Sequence, residues 1–228
     1  MRVWLRRALW DVVPRDQRDT LAALRRRQIV TVAFVAIGAL VLGWSVRLKP
    51  GDDLFYLGTF SLAIVWTVGA FASGRIHLGR IAFRDRLTRP ILTPLALGFG
   101  LAGVFILGAL VVREIPVLSD QVASILDFAD EGSVPLLMLI TAVNGVAEEL
   151  FFRGAAYAAI PRHPVLWTTA AYVVATLATG NVMLAFAAVL LGTLCGLQRR
   201  ASGGILGPVL THVSWSLTML LVLPLLFA

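Results

Sequence analysis

Long apolar runs at 28–46, 54–73, 91–112, 134–158, 165–178, 182–197 and 205–227 constrain this chain more than any other feature. A helix needs about 20 apolar residues to cross about 30 Å of hydrocarbon, and most of these runs are close to that length. A water-soluble alternative fails on composition. Of the 228 residues, 58% are hydrophobic and 14% charged, against about 45–50% apolar and about 25% charged in soluble domains. A soluble core of this size cannot hide so much apolar surface, so lipid must act as the solvent. The fold expected is an all-α polytopic transmembrane helical bundle of about seven spans.

The formal charge is +7, and Lys49 is the only lysine, so arginine carries it. Nucleic-acid binding would need a basic face on a soluble fold. Here the arginines fall between apolar runs, as at membrane flanks, so nucleic acid is excluded as a partner and membrane lipid is expected as one. Arg2, Arg6, Arg7, Arg15, Arg18, Arg25, Arg26 and Arg27 precede the first run, and Arg75, Arg80, Arg84, Arg86 and Arg89 follow the second. Arg162 follows the fourth, and Arg199 and Arg200 follow the sixth. The other connections are balanced, uncharged or acidic, with Glu114, Asp120, Asp127, Asp130 and Glu131 after the third run. An excess of arginine on cytoplasmic loops therefore predicts the N-terminus in and the C-terminus out. The bias toward arginine, alanine, glycine and valine points to a bacterial plasma membrane.

Three regions follow: a cytoplasmic arginine-rich tail over 1–27, N-terminal transmembrane helices over 28–133, and a core carrying the site over 134–228. Residues 1–10 pattern as a short interfacial helix, with Trp4, Leu5, Ala8 and Leu9 against Arg2, Arg6 and Arg7. No cleavable signal peptide is expected, because the first long apolar run begins near Ile29 behind a charged stretch. The run 165–178 covers only about 21 Å as helix. The turn Thr179-Gly180-Asn181 is therefore expected inside the protein, where irregular backbone is tolerated beside other helices or a wet cavity. Cys195 is the only cysteine, which excludes an intrachain disulfide or a cysteine metal cluster.

Glu148, Glu149 and Arg153 sit deep in an otherwise apolar run. A charge at such depth costs about 2.5–3.5 kcal/mol even on insertion scales, so it faces a partner or a cavity. Glu149 and Arg153, four apart, share a helical face as an ion pair. Glu148 is turned about 100° away and gains less from that arginine. A carboxylate in apolar surroundings without a full partner is well placed to act as a general base. His212 enters on another helix at a matching depth of about 14–15 Å, and Ser216, four residues on, shares its face. Asn144, four before Glu148, either orients it or bonds a neighbouring helix. Three plainer readings stand beside chemistry: a structural ion pair, a histidine bonded to a neighbour, and a proton or cation pathway. His77 and His163 lie in arginine-bearing loops and are expected at the headgroups or in water.

The segment Asn144-Gly145-Val146-Ala147-Glu148-Glu149-Leu150-Phe151-Phe152-Arg153-Gly154 resembles the first motif of the CPBP family of intramembrane proteases. That family includes the CAAX prenyl endopeptidases of the Rce1 type and bacteriocin self-immunity proteins. Gly203-Gly204-Ile205-Leu206-Gly207-Pro208-Val209-Leu210-Thr211-His212 is similar to its last motif, a glycine turn leading into a helix with histidine. The resemblance covers roughly 135–221. It implies an intramembrane endopeptidase acting on a membrane-associated peptide or protein, with Glu148 activating water, Glu149 and Arg153 holding the geometry, and His212 stabilising the oxyanion or helping to bind water or metal. Ser216 stands where the family usually has asparagine. The family's middle FxxxH motif has no histidine here, and Thr179 or Asn181 stands near its place. The family is often labelled metalloprotease, which brings in zinc. Glu148, Glu149 and His212 offer three donors, but adjacent helical residues point apart, so the residues give zinc little support and the cofactor stays open. The alternatives are a non-proteolytic relative acting as an immunity or scaffold protein, and a proton-coupled transporter.

Overall fold

The structure, a computed structural model, describes residues 3–15, 17, 19–45, 48, 53–83, 86–130 and 133–227. Ten α-helices and one π-helical segment make up almost all of it. After a short helix α1 (Val3–Leu9), a hairpin of long helices follows, α2 (Leu21–Ser45) and α3 (Asp53–Ser73). A two-stranded antiparallel ribbon, β1 (Ile81–Phe83) and β2 (Arg86–Thr88), leads into α4 (Leu92–Val112) and α5 (Pro116–Asp130). Helix α6 (Val134–Glu148) continues as a π-helix over Glu149–Ala156 and closes with one turn, α7 (Tyr157–Ala159). Then come α8 (Pro164–Leu177), α9 (Val182–Ser202) and α10 (Leu206–Phe227).

Among the described residues six helices are long and apolar enough to cross a membrane, and the seventh apolar run forms the 14-residue helix α8, too short by length alone. Their outer surfaces are apolar: Leu92 is 80% exposed and Leu225 77%. Such surface is stable only against lipid. The chain is a multi-pass membrane protein.

With lipid outside, helices gain little from apolar contact alone and rely on close packing at small residues. Gly98 brings α4 against Thr211 and Ser214 of α10, Gly38 of α2 lies under the Trp66 ring of α3, and Gly69 of α3 under the Phe34 ring of α2. The core joins both halves of the chain. Ala63, Trp66 and Ala70 of α3 pack with Ala147, Phe151, Phe152 and Ala155 of α6 and the π segment.

The arginine-bearing connections are tied together at one end. A helix leaves its last carbonyls without partners, and cations there also favour the helix dipole. Arg15 donates to Arg200 O at 2.9 Å and Ala201 O at 3.4 Å, at the end of α9. Arg26 reaches Ala72 O, and the buried Arg27 binds Asp19 at 2.9 Å and Arg75 O at 3.4 Å, beyond α3. Gln28 donates to Ala159 O at 3.1 Å. His77, in the loop after α3, is pushed below its ordinary value by burial and by Arg199, Arg27 and Arg75, so it adds no charge to this end at neutral pH.

The same end contains a close backbone crossing. Ile205 N donates to His77 O, Leu206 N to Leu78 O and Arg80 N to Ser202 O, at 2.9, 3.1 and 2.9 Å. Gly204 lies directly on the backbone of Leu78 and Gly79, with no room for a Cβ. Gly204→Ala is expected to cost about 1–3 kcal/mol, as overpacking does, because backbone cannot turn aside as a side chain can. Thermal unfolding in detergent, against Gly100→Ala on an open surface, measures it.

Three elements differ from the sequence reading. The acidic connection after the third run is largely the helix α5, because Leu118, Val122, Ile125 and Leu126 recur at helical spacing and turn Val122 into the protein. The short helix expected over 1–10, of which 1 and 2 lie outside the described residues, forms as α1, and Ala8 and Leu9 are buried in the bundle while Val13 N bonds to Ala201 O, so protein covers its inner face. The run expected to be plain α-helix to Ala158 widens into the π segment.

Candidate active site

The four ionisable residues expected inside the bundle come together. Glu149 and Arg153 are both 0% exposed, and Arg153 Nη1 donates to Glu149 Oε1 at 2.8 Å. His212 Nδ1 meets the same Oε1 at 2.8 Å. An ionised carboxylate only accepts, so Nδ1 carries the hydrogen and Nε2 is the nitrogen left for chemistry. Nε2 lies 4.0 Å from Glu148 Oε2. Glu148 is the accessible member, its side chain 23% exposed. His212 thus stands between the carboxylates, bonded to Glu149 and facing Glu148. The spacing places His212 at the depth of Glu148 but does not predict its bond to Glu149.

The π-helix begins at Glu149. Its i→i+5 hydrogen bonding widens the turn, and such segments recur at functional sites. The widened turn presents Glu149 and Arg153 to the interior while Glu148, the last residue of α6, stays at its edge. Arg153 Nη2 also donates to Gly192 O at 3.2 Å, and Arg199 Nε donates to Arg153 O at 2.8 Å, so α9 holds the segment from two sides. Gly145 lies where α6 meets α10, and a Cβ there would touch His212 Cδ2 at an ordinary 3.6 Å.

Tyr172 was not foreseen. Its hydroxyl donates to Glu148 Oε2 at 2.7 Å, and its ring lies under Arg153, 5.0 Å from the guanidinium carbon. Phe152 packs on Tyr172 with ring centroids 5.1 Å apart, and Trp66 packs on Phe152 at 5.5 Å. Helix α3 therefore reaches the site through two rings, although its sequence carries no motif. The available signal is the one tyrosine in the apolar run 165–178. Tyr172→Phe removes a hydrogen bond to a carboxylate, a loss of about 1.5 kcal/mol, and should lower the melting temperature in detergent while leaving the helix content unchanged.

The supporting polar residues lie elsewhere. Asn144 donates to Ile140 O in its own helix at 3.0 Å. Thr179 bonds back to Thr176 O at 2.7 Å. Asn181 caps α9 by accepting from Leu184 N and donates to Gln121 O and Ser124 Oγ of α5. Side chains that cap helix starts are consumed by that task. Ser216 lines an apolar cavity of about 480 Å³ among α4, α5, α9 and α10. Trp215 lines it too, its ring 6.5 Å from His212 and its buried Nε1 without a partner.

The donor set does not fit zinc. Catalytic zinc takes three protein ligands and a water. Glu149 Oε1 already accepts from Arg153 and His212 and its Oε2 is enclosed, which leaves Glu148 Oε2 and His212 Nε2 as one pair of donors 4.0 Å apart. Among the described residues no group of three His, Cys, Asp or Glu is placed to hold an ion.

Fold and site define a class: a multi-pass helical membrane protein in which buried Glu149, Arg153 and His212 meet a partly exposed Glu148. Residues 130–218 match the family described as type II CAAX prenyl endopeptidase Rce1-like, which supports the resemblance read from the motifs in that segment. The match includes α6, the π segment, α8, α9 and His212. No curated protein and no solved structure gives a significant match.

Proposed function

We propose that the protein is an intramembrane endopeptidase that cuts a membrane-associated peptide with a glutamate-activated water. The observation that carries this is the space between Glu148 Oε2 and His212 Nε2, 4.0 Å apart. Hydrogen-bond lengths of about 2.7–3.0 Å let one water touch both atoms. Glu148 removes a proton from the water as its oxygen attacks the scissile carbonyl, then delivers it to the leaving amine. One water is consumed, the C–N bond breaks, and a carboxylate and an amine result. His212 Nε2, with the ring hydrogen on Nδ1, accepts the water's other hydrogen and so aims its oxygen at the carbonyl, and Glu149, balanced by Arg153, holds the imidazole by Nδ1. Glu148 and His212 are the catalytic residues; Glu149, Arg153 and Tyr172 are positioning residues. The apolar cavity beside Trp215 suits the apolar side chains of a substrate held in lipid. The protein sits in a bacterial plasma membrane with its arginine-bearing end toward the cytoplasm.

One observation favours a second reading, a non-proteolytic immunity or scaffold protein of the same fold. The family's middle histidine is absent, and Asn181, near its place, is spent on capping α9 and binding α5. Comparative membrane proteomics separates the two. Proteolysis predicts full-length precursors that persist in cells carrying Glu148→Gln and are shortened in wild type. Identical proteomes, with Glu148→Gln present at wild-type levels, would leave the scaffold reading.

A further inference from the structure

A second cavity, about 530 Å³, lies between the N-terminal part of α8 and the C-terminal part of α9. Tyr157, His163, Thr169, Thr193, Leu197 and Arg200 are among its lining residues. His163 and Arg200 are exposed and mark its mouth at the arginine-bearing end, while Thr169, only 9% exposed, marks its depth.

Thr169 behaves unlike its neighbour. Thr168 bonds back to Pro164 O at 2.7 Å, the usual refuge of a hydroxyl in an apolar helix. Thr169 Oγ1 is buried and bonds to nothing in the protein. Of the four other buried side-chain atoms in the same state among the described residues, two belong to the ion pair, Arg153 Nε and Glu149 Oε2. The three residues are contiguous. A Cβ on Gly192 would meet Thr169 Cγ2 at 3.1 Å and Arg153 Nη2 at 3.3 Å, so only the bare glycine separates threonine from guanidinium. Arg153 in turn binds Glu149. Buried polar groups of this kind are normally served by water with two to four polar partners.

We infer that the α8–α9 cavity is an aqueous entrance, through which water from the arginine-bearing end reaches Thr169 and, past Gly192, the Glu149–Arg153 pair. Gly192, having no side chain, lets Thr169 and Arg153 both close on α9 at one point, and Thr169 is the polar floor of the entrance. The entrance approaches the site from the Arg153 side, leaving the cavity at Trp215 free for apolar groups. It does not depend on the protein cutting peptides, because the ion pair needs solvation in any role.

Thiol labelling in sealed vesicles tests this. Cys195→Ala removes the only cysteine, and Thr169→Cys, Thr193→Cys or Val174→Cys is then added singly. Val174, 67% exposed on α8, is the lipid-facing control. A thiol ionises and reacts with a charged methanethiosulfonate only where water reaches it, so Thr169→Cys and Thr193→Cys should react at least about tenfold faster than Val174→Cys. They should do so only in vesicles that expose the arginine-bearing end. Thr193, exposed in the cavity wall, carries the test if Thr169→Cys does not accumulate. Labelling by lipid-soluble N-ethylmaleimide alone would mean that lipid fills the cavity, and labelling from the opposite face would place the entrance elsewhere; either result overturns the inference. Repeating the labelling with Glu148→Gln separates it from the peptidase proposal, since the rates should not change even if that proposal fails.

Discussion

Arg153→Met should leave a protein that barely accumulates, with stability reduced by about 3–5 kcal/mol, the cost of stranding one partner of a buried ion pair. Glu149 and Arg153 have no exposed side-chain surface, so water cannot replace the lost partner. The loss is large against the about 5–15 kcal/mol that holds most domains folded. Methionine fills a similar volume, so the cost reports charge more than a cavity. The double variant Glu149→Gln with Arg153→Met removes both charges and should recover much of the loss. Melting temperature and monodisperse yield in detergent, measured for both singles and the double, give the coupling directly. Equal stability of Arg153→Met and wild type would show that the pair contributes nothing.

Glu148→Gln should have the opposite profile. Glutamine keeps the length of the side chain, and its amide oxygen still accepts from Tyr172, so folding is retained. It takes no proton from water, and loss of a general base lowers rates by about 10²–10⁴-fold. Glu148 is the partly exposed carboxylate and makes no contact with Arg153 within ion-pair distance. Cleavage of a membrane-anchored peptide by purified protein in liposomes should therefore fall by that factor at unchanged melting temperature. A variant that folds and still cuts at the wild-type rate would remove Glu148 from the chemistry.

Much of the bundle was legible because a membrane helix announces itself by the length of its apolar run. Even the shortness of α8 could be read that way. The Glu149–Arg153 pair was legible from its four-residue spacing, and His212 from its depth on a separate run. The rest depends on geometry that sequence spacing does not encode. A π-helix has no composition of its own, so the widened turn at Glu149 and the resulting bond to His212 stayed hidden. Tyr172 reads as one more apolar position until its hydroxyl is seen on Glu148. Helix α5 was masked by its acidic residues, which drew attention from the apolar ones between them. Thr179, Asn181 and Ser216 are polar groups near the motifs, yet local capping and cavity lining take them.

The central claim is a division of labour between two adjacent carboxylates. Cleavage rate per folded molecule and melting temperature, measured side by side for Glu148→Gln and Glu149→Gln, test it most directly. The account predicts that Glu148→Gln loses activity at wild-type stability. Glu149→Gln should lower the melting temperature, since it leaves Arg153 without its counter-charge. A reversed pattern, with Glu148→Gln unstable and Glu149→Gln stable but inactive, would contradict it.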